Sequence, residues 1–157
     1  MDSALTLVLG IVLSLLVIFG LVFGIVFVIL KRVAQRQQNM AQHKYPDARF
    51  IDSGALFFGQ QSRGAMQMRG NGTLIITPTD VIFHQWIPGR EFHIPLKAIQ
   101  SIENPTSFLG KWQGVPLLKV NFLNEKGQTE AMAWRVRDLS GIQRAIEDAR
   151  TLSKAIG

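Results

Sequence analysis

The chain has 157 residues, with 17 Lys and Arg against 11 Asp and Glu, a formal charge of +6 and no cysteine. Residues 1–30 hold 23 of its 74 apolar residues, so the remainder is about 40% apolar, ordinary for a soluble domain. These figures exclude a polytopic membrane protein, a disordered chain, two sizeable soluble domains, disulfides, and thiolate metal or nucleophile chemistry.

The first predicted element is the uncharged run Ala4–Leu30, 27 residues interrupted only by Thr6, Gly10, Ser14, Gly20 and Gly24. A helix of that length is about 40 Å long, more than the roughly 30 Å hydrocarbon core of a bilayer. Lipid cannot satisfy backbone polar groups, so a single span must be helical. The run is predicted to be a transmembrane helix after a leader of residues 1–3. It fits a signal peptide poorly, having no basic start and no small-residue cleavage site. Lys31, Arg32 and Arg36 follow the run, and the leader carries only Asp2. The positive-inside rule puts the carboxy-terminal part in the cytoplasm and the amino terminus outside, in the cell membrane. Gly20 and Gly24 form a G-x-x-x-G, which either lets two helices approach closely, as in a homodimer, or is a coincidence of small residues.

Residues 31–48 are predicted to be a juxtamembrane helical linker, broken at Tyr45-Pro46-Asp47. From residue 49 short apolar runs alternate with turn signals. Gly54–Gly59, Ala65–Arg69, Thr73–Thr77, Asp80–Trp86, Glu91–Pro95, Ile99–Ile102, Leu117–Leu123 and Glu130–Val136 are predicted strands. Gly70-Asn71-Gly72 is predicted to be a tight hairpin turn between two of them. A two-residue loop at Pro88-Gly89 would set Val81 against Leu96, Phe83 against Ile94 and Gln85 against Phe92. It would also make His84 and His93 cross-strand neighbours beside Trp86 and Glu91, either a metal site with Glu91 as third ligand or two exposed histidines. Asp138 caps a helix over about 138–154, whose stripe is Leu139, Ile142, Ala145, Ile146, Ala149, Leu152 and Ile156. The fold class is thus one amino-terminal transmembrane helix plus a mainly-β barrel of about seven antiparallel strands, its end closed by a carboxy-terminal helix.

Phe57-Phe58-Gly59-Gln60 through Thr73-Leu74, Trp86 through Leu96, and Ala133–Leu139 resemble a bacterial group of the pleckstrin-homology-like superfold, which includes GRAM domains. The resemblance covers about residues 50–153. It implies a non-catalytic binding or scaffolding module for phospholipid headgroups or peptide segments, without a cofactor. Phosphoinositide-binding members carry a dense basic cluster in the first hairpin, where this chain offers only Arg63 and Arg69.

The candidate lipid- or partner-binding residues are Lys31, Arg32, Arg36, Arg63, Arg69, Arg90, Lys111, Trp112, Arg135 and Arg137. The spread cations either contact anionic lipid or an acidic partner, or form a solvated face that discourages edge aggregation. Phe108, Leu109 and Trp112 either anchor a partner or cover one end of the barrel. No basic run marks a nucleic-acid site, and neither a P-loop nor a nucleophile elbow is present. The expected function is a membrane-tethered binding or scaffold module. The alternative is a structural accessory subunit of a membrane complex, recognised through the transmembrane helix.

Overall fold

The computed structural model describes residues 2–156, with the backbone alone for Asp2, Ala4, Thr6 and 153–156. Helix α1 is Asp2–Lys44, and within it lies the apolar run. Its residues from Leu7 onward are long and apolar enough to cross a membrane. The predicted leader is part of this helix apart from Met1, which lies outside the described residues. The chain divides into two units, residues 1–36 and 37–157. The second unit therefore includes the last turns of α1, which the sequence assigns to a linker.

Among the described residues of the second unit nine strands follow: β1 Phe50–Gln60, β2 Gly70–Ile76, β3 Asp80–Gln85, β4 Arg90–Pro95, β5 Ile99–Glu103, β6 Ser107–Phe108, β7 Lys111–Trp112, β8 Leu118–Leu123 and β9 Thr129–Arg135. Helix α2 is Leu139–Ile156. Seven strands form one antiparallel sheet in the order β4-β3-β2-β1-β9-β8-β5, and β6–β7 is a separate hairpin. The long β1 joins two meanders, pairing β2 through Phe50–Phe57 and β9 through Leu56–Gln60. Register shifts between Asp52 and Ala55 and between Phe57 and Gly59 bend it from one meander to the other. The predicted barrel is not closed. Strands β4 and β5 are the two ends of the sheet and do not pair with each other.

The core follows the predicted alternation. Phe57, Leu74, Phe83, Ile94, Val120, Met132 and Trp134 point inward and meet Ile142, Ile146 and Ala149 of α2. Rings of Phe57, Phe83, Phe92 and Trp134 lie 5.3–6.2 Å apart, centroid to centroid. Asp138 caps α2 as predicted, its Oδ1 accepting the Gly141 N–H at 2.8 Å. Leu152, read as part of the helix stripe, is 44% exposed, and the side chain of Ile156 lies outside the description.

Two predicted features change. Ala65–Arg69 is not a strand, and Met66 and Met68 in it are almost fully exposed. Gly70 and Gly72 lie within β2, paired with Phe57 and Ala55. A Cβ on Gly72 would collide with the Phe83 ring and the His84 carbonyl, and one on Gly70 with the Gln85 side chain. These glycines serve close packing between strands, not a turn. The loop between β3 and β4 is also longer than predicted. Gln85 pairs with Arg90, Phe83 with Phe92 and Val81 with Ile94, a shift of two residues that keeps every side chain on its predicted face. Trp86 is held on the β2 side, its N–H donating to the Asn71 carbonyl at 3.0 Å and its indole N–H to Thr73 Oγ1 at 3.0 Å.

The outer face of the sheet is covered in two places. Ile75 and Ile82 are buried with Ala41, with Tyr45, Ala48 and Ile51 packed around them. Phe58, Ala131 and Ala133 are buried with Phe108 and Leu117.

A candidate binding cleft along a free sheet edge

Strand β4 ends the sheet because nothing follows it in the ladder. Its hydrogen-bond phase is set at one end, where the Leu96 N–H donates to the Thr79 carbonyl at 2.8 Å. Antiparallel bonding alternates, so Arg90, Phe92 and Ile94 exchange bonds with β3. Glu91 and His93 then direct their N–H and C=O groups away from the sheet. Pro95 carries no N–H and ends the run of free donors. At the other end of the sheet, Arg150 donates to the Ile99 carbonyl of β5 at 2.9 Å. The β4 edge has no such cover among the described residues.

A cleft of about 750 Å³ runs beside this edge. One wall is β4 from Arg90 to Pro95, continuing into Lys97. The other is the Leu123–Glu125 end of β8 with Gln60 and Arg63. Phe92, Phe122 and Met132 form the apolar floor. Arg63, Arg90 and Lys97 stand on the rim against Glu91 and Glu125, and the Arg63 guanidinium lies 5.8 Å from the Phe92 ring centroid. Gln60 is held by Glu130, a buried carboxylate whose oxygens accept from Gln60 Nε2 at 2.9 Å and the Ser62 N–H at 3.0 Å. Burial pushes the Glu130 pKa up, but the hydrogen bonds from Ser62, Gln60 and Ala131 outweigh it and hold the carboxyl ionised. This rigid support under the first strand end places Arg63 at the cleft mouth.

Glu91 turns its side chain to the outer face and gathers four partners. Its oxygens accept from Lys44 Nζ at 2.7 Å and Tyr45 Oη at 3.0 Å, both at the end of the α1 segment. His93 Nε2 lies at 2.8 Å and His84 Nδ1 at 3.5 Å. Burial would raise the carboxyl, but the bonds from Lys44, His93 and Tyr45 lower it to about 2. The histidines are not opposite each other. His84 pairs with Glu91 and His93 with Ile82, so the carboxylate sits between them. The described residues contain no group of three metal-ligating side chains suited to an ion, and Glu91 is occupied by Lys44 and Tyr45.

The other predicted binding residues fall in separate places. Arg63 and Arg90 share the cleft. Arg69 stacks 4.5 Å from the Phe58 ring centroid and donates to the Trp112 carbonyl at 3.3 Å. Lys111 donates to the carbonyls of Phe58 at 2.9 Å and of Gln67, and burial, with the Arg69 charge behind it, lowers its pKa. Its ammonium ties the β6–β7 hairpin to β1. Phe108 of that hairpin is buried with Phe58 and Leu117, and Trp112 is 70% exposed, so the aromatic pair splits between cover and surface. Arg135 is exposed opposite Leu56. Arg137 packs on Gly54, and Asp52 accepts its backbone N–H at 2.8 Å. Lys31, Arg32 and Arg36 belong to the first unit, where Lys31 Nζ lies 4.7 Å from the Phe27 ring centroid. Gly20 and Gly24 line a shallow groove of about 450 Å³ with Leu21, Ile25, Val28 and Arg32. Sequence reasoning missed Lys97, Phe92 and His93 as cleft residues, because a free edge becomes visible only once strand order is known.

In class, the chain is an apolar helix of membrane-crossing length joined to a mostly-β unit of seven antiparallel strands and a carboxy-terminal helix. No family profile matches it, and no curated protein does. It is similar to the crystal structure of the C-terminal domain of an unknown protein from Leishmania infantum, at 16% identity over 73% of this chain and 97% of that one, with a TM-score of 0.47. A similarity of that strength names neither a family nor a function.

Proposed function

We propose that this chain is a single-pass membrane-tethered binding or scaffold module, non-catalytic, whose second unit is a pleckstrin-homology-like domain held at the cytoplasmic face. The apolar run and the three cations after it support the tether and the orientation. Two antiparallel meanders joined through β1 and packed on a carboxy-terminal helix support the fold assignment. The observation that carries the binding role is the cleft. An apolar floor with Arg63, Arg90 and Lys97 on its rim supplies permanent positive charge and hydrogen-bond donors, which suit retention of an anionic partner. Tethering raises the effective concentration of membrane-proximal partners, so modest intrinsic affinity is enough.

The test is a photo-crosslinking residue placed at Lys97 in the full chain, in native membranes. A discrete adduct that disappears in the Arg63→Ala/Arg90→Ala variant is expected. Absence of any adduct from the cleft overturns the binding role.

A second reading rests on the groove at Gly20 and Gly24, where an added Cβ meets nothing within 4 Å. In that reading the helix is packed by another membrane helix and the chain is an accessory subunit or a homodimer. Co-purification lost in Gly20→Leu/Gly24→Leu, with the cleft variant unaffected, would favour it over the first.

A further inference from the structure

We propose that the β4 edge binds an extended acidic peptide segment of a partner protein, which adds to the sheet as an eighth strand beside Glu91 and His93. The inference rests on the binding role of the cleft and specifies its occupant. Three observations converge on it. The backbone groups of Glu91 and His93 face outward with the spacing of one further ladder step, and only an extended chain offers matching donors and acceptors. The cleft runs along this same edge, from Arg90 past Pro95 to Lys97, so it accommodates a segment lying parallel to β4 at about 4.8 Å. The charge balance favours an acid-rich segment: Arg63, Arg90 and Lys97 line the space against Glu125, and Glu91 is already engaged by Lys44, Tyr45 and His93.

The added strand alternates its side chains. The set that faces the cleft meets Arg63 and Arg90, which lie on the Phe92 face of β4, and is acidic. The other set faces the outer side beside Glu91 and His93 and is uncharged. Pro95 ends the pairing, which limits the bound stretch to a few residues and predicts modest affinity. A free headgroup would use the arginines but leave the edge groups of Glu91 and His93 unpaired.

The experiment uses the full chain in nanodiscs of neutral lipid, probed with the ten-residue peptides (Glu-Val)5 and (Asp-Leu)5. Amide hydrogen exchange and amide chemical shifts are read at Glu91 and His93. Saturable binding is expected, with exchange at these two amides slowed at least tenfold. Binding should weaken at least tenfold in Arg63→Ala/Arg90→Ala. It should also weaken when alternate peptide nitrogens are methylated, a change that needs no protein variant. His93→Pro, which removes an outward N–H and no bond to β3, should do the same while leaving the circular dichroism spectrum intact. Binding that tolerates the methylated peptide, or leaves Glu91 and His93 unprotected, overturns the strand addition. Binding of inositol hexakisphosphate to the same arginines without peptide binding overturns the peptide and leaves the cleft's binding role standing. Failure of both probes overturns the peptide as well, and the crosslinking result at Lys97 then decides the wider reading separately.

Discussion

Glu91 shows how one carboxylate can hold several segments together. It meets the end of the α1 segment through Lys44 and Tyr45, and its own sheet neighbours through His84 and His93. Glu91→Gln keeps the shape and removes the charge, and should lower stability by about 1 kcal/mol, since the cluster is partly solvated. Its pH dependence has a definite sign. The folded carboxyl titrates at about 2 against an ordinary 4.5, so its contribution is present above 4.5 and is lost as pH falls toward 2. Lys44 is raised above 10.5, so its share is present below that value and is lost as pH rises through its folded pKa. Thermal unfolding of the wild type and Glu91→Gln should therefore converge between pH 4.5 and 2. Asp52 is a second such residue. It is buried and accepts the N–H groups of Gly54 and Arg137 at 2.9 and 2.8 Å. Asp52→Ala leaves both donors without a partner and should cost about 1–3 kcal/mol in denaturant unfolding.

Among the elements, strands and α2 were legible because their signal is periodic. Val81, Phe83 and Gln85 alternate, and Leu139, Ile142, Ala145, Ile146 and Ala149 return at helical spacing. Ile146→Ala removes a fully buried side chain from the interface of α2 and the sheet, and should cost about 2–5 kcal/mol by chemical denaturation. The glycines were legible only in part. Gly70-Asn71-Gly72 has the composition of a turn, yet it is strand, because Phe83 and Gln85 of the neighbouring β3 occupy the space a side chain would need. Gly72→Ala should accordingly destabilise the fold by about 1–3 kcal/mol through overpacking. Gly89→Asn, at a positive φ of 79° with open space around it, meets backbone strain but no clash and should cost at most about 1 kcal/mol in the same measurement. If the two variants behave alike, the register of β2 is wrong.

For the whole molecule, the apolar helix predicts that the full-length chain stays with vesicles through an alkaline carbonate wash. The cleft predicts that removing Arg63 and Arg90 leaves this retention unchanged. Residue order alone determined the apolar run, the capped final helix and the alternation of the strands, because length, hydropathy and period are properties of neighbouring residues. The tertiary structure decided that the sheet stays open, that Ile82 is covered by Ala41, and that β4 is left as an edge. It also divided the scattered cations, turning Lys111 inward to carbonyls and bringing Arg63 and Arg90 to one cleft. Those outcomes depend on which distant strands pair and in what register, and no local pattern carries that information.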